Sequence, residues 1–304
     1  MDKIIFQVDA FTDVHFGGNP AGVVPDATGL GPIQMQKIAR EMNLSETAFV
    51  FPLKNDEADF QVRFFTPTQE VDLCGHATIA TFFTLVKKGY IEGDRNKKII
   101  TQKTRAGNLP VEIYFKDHEI EHILMTQAKP ECIFEVQDIH ELAQIMGLEA
   151  ENIGLNGYDL LPQAISTGLP DIILPVKSLE VLKKINPNKH QLAAYSDKHG
   201  VIGVHAFTME AEEENSTLAC RNFAPAAGID EEAATGTSNG ALGAYLVNNN
   251  IIKFEKDITL ICEQGYYMGR PSKIVVQLEG NKENLIVKVG GKAIITLEGV
   301  MIYE

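Results

Sequence analysis

The sequence predicts an α+β protein built from two similar halves. Three observations predict it: an ordered internal repeat, β-rich runs in both halves, and one glycine-led apolar helix in each half. Gly18-x-Pro20-x-x-Val23-Val24-Pro25 is echoed by Gly168-x-Pro170-x-x-Ile173-Leu174-Pro175 at an offset of 150 residues. Arg63-x-Phe65-x-Pro67 recurs as Arg221-x-Phe223-x-Pro225 at 158, and Cys74-Gly75-His76-Ala77 as Thr235-Gly236-Thr237-Ser238 at 161. Turn motifs rich in Gly and Pro recur by chance, but three matches in one order, with an offset that grows as small loop insertions would make it grow, favour duplication. The length of 304 residues also suits two domains of roughly 100 to 150 residues each.

Along the first half, Lys3 to Phe11 and Asp59 to Thr66 are β-rich runs. Pro32 to Met42 reads as an amphipathic surface helix with proline in its first turn, where the missing N–H costs least. From about His76 to Lys88, residues Ala77, Ala80, Phe82, Phe83 and Val86 leave almost no polar face, so this helix is expected to be wrapped in protein. Val111 to Phe115 and Glu119 to Met125 read as strands, and the second half is placed from Lys129-Pro130 onward. The expected domains are therefore 1–128 plus 292–304, and 129–291. In the second half Leu179 to Ile185 is a surface helix and Val201 to Thr208 a strand. Ser238 to Val247 is a second core helix, whose Gly240, Ala241, Gly243 and Ala244 allow close backbone approach. Leu285 to Val289 and Ala293 to Tyr303 close the chain as β-like runs.

Composition narrows the function. A formal net charge of −14 repels a phosphate backbone and an anionic membrane surface, so neither nucleic acid nor membrane is an expected partner. The longest apolar stretch, Ala77 to Val86, is interrupted by threonines and is far shorter than the about 20 residues of a spanning helix. The first residues, MDKIIFQVDAF, carry Asp9 within their apolar run and no small-residue cleavage pattern, so a first strand and a cytoplasmic location are expected. Cys74, Cys132, Cys220 and Cys262 are widely spaced, with no C-x-x-C pair or nearby His pair to suggest zinc. Three of them are expected to be reduced, mostly buried thiols, and no metal site is expected.

The chemistry is expected where the core helices begin. A helix that starts at glycine presents unpaired backbone N–H groups and the positive end of its dipole, a setting for an anion. Gly75-His76 and Gly236-Thr237 would point such donors into one interdomain cleft and hold a carboxylate; each turn alone could equally be a tight strand-to-helix connection. Beside the first lie His76, a hydrogen-bonding group, and Cys74, either a thiolate whose pKa the helix N-terminus would lower or a small apolar filler. Glu46 is the one charge between Leu44 and the run Ala48-Phe49-Val50-Phe51. If it is desolvated there, its pKa rises toward neutrality, as a reversible proton shuttle requires; a solvated turn residue is the alternative.

Six blocks, in order, carry a family resemblance: FTDVHFGGNPAGVV (11 to 24), LSETAFV (44 to 50), VRFFTPTQEVDLCGHAT (62 to 78), STGLPDIILPV (166 to 176), CRNFAPAAGIDEEAATGTSNGAL (220 to 242) and EQGYYMGRPS (263 to 272). Together they resemble the phenazine-biosynthesis PhzF-like family, with the match spread over nearly the whole chain. The resemblance implies the diaminopimelate-epimerase-like fold: two pseudo-symmetric domains, each a β-barrel-like sheet around a central helix, with the site between them. It also implies a homodimer and cofactor-free acid–base isomerisation of a small carboxylate-bearing molecule. On that pattern Glu46 removes a proton and returns it, while Gly75, His76 and Gly236 bind substrate. The family's E-D-P-A-T-G-S-A motif reads here Glu231-Glu232-Ala233-Ala234-Thr235-Gly236-Thr237-Ser238. Glu232 keeps the charge of Asp and Thr237 the hydroxyl of Ser, in a differently shaped pocket, so the phenazine precursor is not assumed as substrate.

Two other readings stand beside this one. Cys74 resembles the first catalytic cysteine of related epimerases and proline racemases, which would make it a base in a one-base epimerase or dehydratase. The second such cysteine corresponds to Thr235, too weak an acid for a two-thiol racemase. A ligand-binding scaffold without turnover would suit the altered second motif.

Overall fold

The computed structural model describes residues 2–55, 57–93 and 96–302. The chain forms two compact units, Met1–Thr126 with Gly290–Glu304, and Gln127–Val289.

The first unit runs β1 (Asp2–Ala10), β2 (Asn19–Val24), α1 (Pro32–Met42), β3 (Glu46–Asn55), β4 (Ala58–Phe65), β5 (Glu70–Val71), α2 (Gly75–Lys87), β6 (Lys97–Thr104), β7 (Gly107–Lys116) and β8 (Glu119–Thr126). β2–β3 and β4–β6 pair in parallel; β1–β2, β3–β4, β4–β5, β6–β7 and β7–β8 pair antiparallel. The last strand of the chain, β18 (Ala293–Ile302), lies antiparallel on β1. Tyr303, at the end of the run expected there, lies outside the described residues. Helix α2 packs on β1, β2, β3, β8 and β18, strands from both ends of this ribbon, so the sheet curls around it.

That placement explains the composition of α2. Every residue from His76 to Leu85 is buried, and each apolar side chain of Val, Leu, Ile or Phe size buried this way contributes roughly 1.5–3 kcal/mol. The threonines are tolerated because Thr78, Thr81 and Thr84 donate their hydroxyls to the carbonyls of Cys74, Ala77 and Ala80, one turn back. By contrast α1 buries only Met35, Ile38 and Ala39, as its amphipathic pattern predicts.

The second unit runs β9 (Glu131–Glu135), α3 (Ile139–Met146), β10 (Gln163–Ser166), β11 (Pro170–Pro175), α4 (Leu179–Lys184), α5 (Lys189–His199), β12 (Gly203–Thr208), β13 (Leu218–Ala224), β14 (Ile229–Glu232), α6 (Gly236–Asn248), β15 (Ile258–Gln264), β16 (Ser272–Gly280) and β17 (Leu285–Gly291). β11–β12 and β13–β15 pair in parallel, and β10–β11, β12–β13, β13–β14 and β15–β16 antiparallel. This is the sequence of pairings found from β1 to β7. Both copies of the Arg-x-Phe-x-Pro motif also do the same work: Arg63 grips Glu70 with two hydrogen bonds and lies over Phe65, while Arg221 grips Glu231 and lies over Phe223. Around α6 the small residues are needed, because a Cβ on Gly243 would sit 3.0 Å from Leu278 and Val276 side chains.

Two features differ from the sequence reading. Helices α3 and α5 fall in stretches where no element was expected. Of the three thiols expected to be buried, Cys220 and Cys262 are, but Cys132 is exposed, because it lies on β9, a short strand with mostly exposed side chains at the rim of its sheet. Among the described residues no helix is long and apolar enough to cross a membrane.

Candidate active site

Glu46 opens β3, and the parallel register sets it beside Ala21 of β2. Its Oε2 lies 3.2 Å from His76 Nε2, with side chains only 19% and 8% exposed, respectively. His76 stands in the first turn of α2, behind Cys74 at the N-cap position; the Cys74 Sγ is 3.4 Å from His76 Nδ1. Three residues from two distant segments therefore meet because β3 begins where α2 begins. Burial pushes the Glu46 carboxyl above its ordinary range, and a hydrogen bond from the Cys74 thiol pulls partly the other way.

The Cys74 side chain does not cap the first turn of α2, and no acidic residue lies within that turn. Its leading N–H groups are the kind of donors that hold a carboxylate. A Cβ built on Gly75 would meet nothing within 4 Å. Glycine there is thus required neither by backbone strain nor by packing, and it leaves room beside those donors. The ligand atoms of Glu46, Cys74 and His76 also fall within 4.8 Å of one another, a grouping that could hold a metal ion.

The start of α6 is built differently. Thr235 is its N-cap residue, and instead of capping the helix its Oγ1 donates to Glu232 Oε2 at 2.6 Å and accepts from Gln264 Nε2 at 3.0 Å. Gln264 also accepts from the Thr235 N–H and donates to the Glu232 carbonyl, tying the turn to β15. Thr167 Oγ1 donates to the Thr237 carbonyl at 2.9 Å. Glu232, Gly236 and Thr237 are therefore close together in the second unit, as Glu46, Cys74, Gly75 and His76 are in the first.

The sequence reading passed over a buried cluster behind this turn. Ser238 Oγ donates to Asp171 Oδ2 across a short contact, and Asn222 Nδ2 donates to the same oxygen at 3.0 Å and lies 3.3 Å from His205 Nδ1. Burial pushes the Asp171 carboxyl up to about 6, against hydrogen bonds from Ser238, Asn222 and the Gly203 backbone; burial pushes the His205 ring down to about 3, keeping it neutral. The available signal was a single charge, Asp171, ahead of the apolar run Ile172-Ile173-Leu174, the same pattern that marked Glu46.

The duplication relates the two units residue by residue. Ala21 pairs with Glu46 on β2–β3, and Asp171, at the matching place after the Gly-x-Pro motif, pairs with Gly203 on β11–β12. Gly203 is thus the counterpart of Glu46. No side chain fits there: a Cβ would lie 2.0 Å from the Phe223 carbonyl oxygen. Among these paired positions, the acid Glu46 has no second copy.

The family described as phenazine biosynthesis-like protein matches residues 8–299. A protein of Clostridium acetobutylicum named as an uncharacterized isomerase is 37% identical over 302 residues, covering 98% of this chain and 97% of the relative. The trans-2,3-dihydro-3-hydroxyanthranilate isomerase of Pseudomonas fluorescens is 30% identical over 296 residues, covering 97% of this chain and 98% of the relative. The crystal structure of a phenazine biosynthesis protein of the PhzF family from Bacillus anthracis superposes with a TM-score of 0.89 at 32% identity, each chain covered in full.

Proposed function

The chain belongs to the phenazine biosynthesis-like protein family, a family of enzymes whose relatives above carry isomerase names, and on that premise we propose that it is a cofactor-independent isomerase in which Glu46 moves a proton within a small carboxylate-bearing substrate. The observation that carries this reading is the pairing of a desolvated Glu46 with His76, in a chain whose second unit has Gly203 at the matching position.

A carboxylate with a raised pKa takes a proton from carbon more readily than an ordinary one and still releases it. In the proposed step Glu46 accepts the proton as the C–H bond breaks, and the electron pair enters the substrate's conjugated system. The same carboxylic acid then delivers the proton to a different carbon of that system. No atom is gained or lost, and no electron acceptor is needed. His76 Nε2, 3.2 Å from Glu46 Oε2, is placed to steady the carboxylate when that nitrogen carries a proton. The first turn of α2 is a clamp for the substrate carboxylate, with Gly75 leaving room for it. Gly236 and Thr237 are the second anion-binding element, with Glu232 as its polar partner.

A two-base racemisation is disfavoured by the same geometry, because Thr235 stands where Cys74 has its counterpart and Gly203 where Glu46 does. One base that serves both directions suits relocation of a proton.

The test is a thermal-shift screen of small carboxylates, including trans-2,3-dihydro-3-hydroxyanthranilate, followed by NMR of each stabilising compound with the enzyme. A ligand bound only by the folded chain raises its melting temperature. The expected result is at least one carboxylate that both stabilises the protein and is converted to an isomer of equal mass. Stabilising ligands that are never converted, or converted with a change of mass, would contradict the reading.

A further inference from the structure

The two units share one framework but not one interior. Four buried polar residues cluster at the first turn of α6: Asp171, His205, Asn222 and Ser238. By strand register and repeat position their counterparts in the first unit are Ala21, Ala48, Phe64 and Ala77. All four counterparts are apolar and buried. The fold is therefore built once without any polar group at these places. Taking a carboxylate and an imidazole out of water is costly, and an apolar core of similar volume is often at least as stable. Stability alone does not account for the cluster.

Its contacts point to a different task. Ser238 lies in the first turn of α6, directly after Gly236 and Thr237. Its hydroxyl donates to Asp171, and Asn222 Nδ2 braces both partners, at 3.0 Å from Asp171 Oδ2 and 3.3 Å from Ser238 Oγ. Asp171 is itself fixed on β11, whose parallel neighbour β12 carries His205. In the first unit the corresponding turn has different contacts, those among Glu46, Cys74 and His76. One link is common to both: Thr78 Oγ1 bonds the Cys74 carbonyl, and Asn239 Nδ2 bonds the Thr235 carbonyl.

We propose that Asp171 is a positioning residue which, through Ser238 and braced by Asn222, fixes the first turn of α6 so that the Gly236 and Thr237 N–H groups are held ready for a substrate carboxylate. This rests on the reading of α6 as an anion-binding element. Asp171 touches no substrate. Because the Ser238 and Asn222 hydrogen bonds converge on one oxygen, an amide with its oxygen at that place keeps those two, whereas alanine removes them.

The experiment uses the full chain and two readouts. Backbone 15N order parameters for Thr235 to Asn239 are measured in the wild type and in Asp171→Ala, Asp171→Asn and Ser238→Ala, with the later turns of α6 as internal reference. Benzoate is then titrated while the Gly236 and Thr237 amide shifts are followed. The expected result is a loosened first turn in Asp171→Ala and Ser238→Ala, with later turns unchanged, and near wild-type order in Asp171→Asn. Benzoate affinity at those amides is expected to fall about three- to fivefold in the two loosened variants and to stay close to wild type in Asp171→Asn. If Asp171→Ala does not fold, Ser238→Ala and Asp171→Asn decide the matter. An unchanged first turn in Ser238→Ala, or a loosened turn that binds benzoate as well as the wild type, overturns the positioning role. If benzoate leaves the wild-type Gly236 and Thr237 amides unmoved, the anion-binding reading of α6 and the carboxylate part of this proposal fall together, while the order parameters still report whether Asp171 fixes the turn.

Discussion

Glu46 Oε2 and His76 Nε2 lie 3.2 Å apart, one at the first residue of β3 and the other in the first turn of α2. The contact links the start of a strand paired on both sides to the start of the helix the sheet encloses, and it puts a desolvated carboxyl group beside a row of backbone donors. The Cys74 thiol completes the group, as a hydrogen-bond donor to Glu46 and a neighbour of the imidazole.

That arrangement sets a pH dependence. Glu46 takes up a proton only when ionised, so kcat/KM should rise with pH through an apparent pKa above the ordinary glutamate value of 4.5. The thiol hydrogen bond holds this pKa down, so Cys74→Ala should move the acid limb to higher pH while the plateau stays within about threefold of the wild type. A pH–rate profile of both proteins checks it. Collapse of the plateau, with the fold intact, would show that the thiol itself carries the proton.

At the second turn, the Glu232 carboxylate accepts the Thr235 hydroxyl at 2.6 Å. Glu232→Ala should lower activity by about tenfold or more, since a charged hydrogen bond beside the anion-binding element is lost. Glu232→Asp, one methylene shorter, should keep the fold and shift substrate preference or the pH optimum. Steady-state kinetics across pH measure both. Wild-type behaviour of Glu232→Ala would reduce this element to Gly236 and Thr237.

Asp171 makes a prediction about stability alone. Its carboxyl is raised on folding from 3.8 to about 6, so the folded chain holds this proton more tightly than the unfolded chain. The wild type should therefore lose stability relative to Asp171→Asn as pH rises through this window, with no further divergence above it. The shift corresponds to on the order of 3 kcal/mol at most. Urea unfolding of both proteins at several pH values from 4 to 8, nearly all of that window and the plateau beyond it, provides the comparison.

Gly203 is where the second unit excludes a counterpart to Glu46. Gly203→Ala would drive a methyl group into the Phe223 carbonyl, 2.0 Å away, so β12 and β13 would have to separate. A loss of several kcal/mol, at least about 3, is expected in denaturant titrations. A change smaller than about 1 kcal/mol would mean that the strands adjust freely and that position 203 tolerates a side chain.

Much of this was legible in the sequence because the relevant patterns are local. Glycines and prolines at turns carried the repeat, and the run from Ala77 to Val86, with almost no polar face, marked α2 as a central helix. Glu46 stood out as a single charge entering an apolar strand. Asp171 has the same signature, but Ser238, Asn222 and His205 come to it from other strands and a helix far away in sequence, and no local period encodes that meeting. Helix α5 leaves no such imprint for a related reason: its apolar residues, Leu192 to Tyr195, are consecutive instead of three and four apart as in α1, so no helical stripe shows. Cys132 was misjudged because an apolar-looking strand says little about whether a neighbour covers it.

The central claim is that Glu46 is the group that moves the proton, and it is tested most directly by following isomerisation of the converted carboxylate in deuterated water with the wild type and Glu46→Gln. Glutamine keeps the shape and one acceptor of the side chain but cannot take a proton from carbon. The account predicts that the variant retains ligand-induced stabilisation and loses at least about 100-fold in turnover, with no deuterium entering the substrate. Turnover within about tenfold of the wild type would place the base elsewhere and contradict the account.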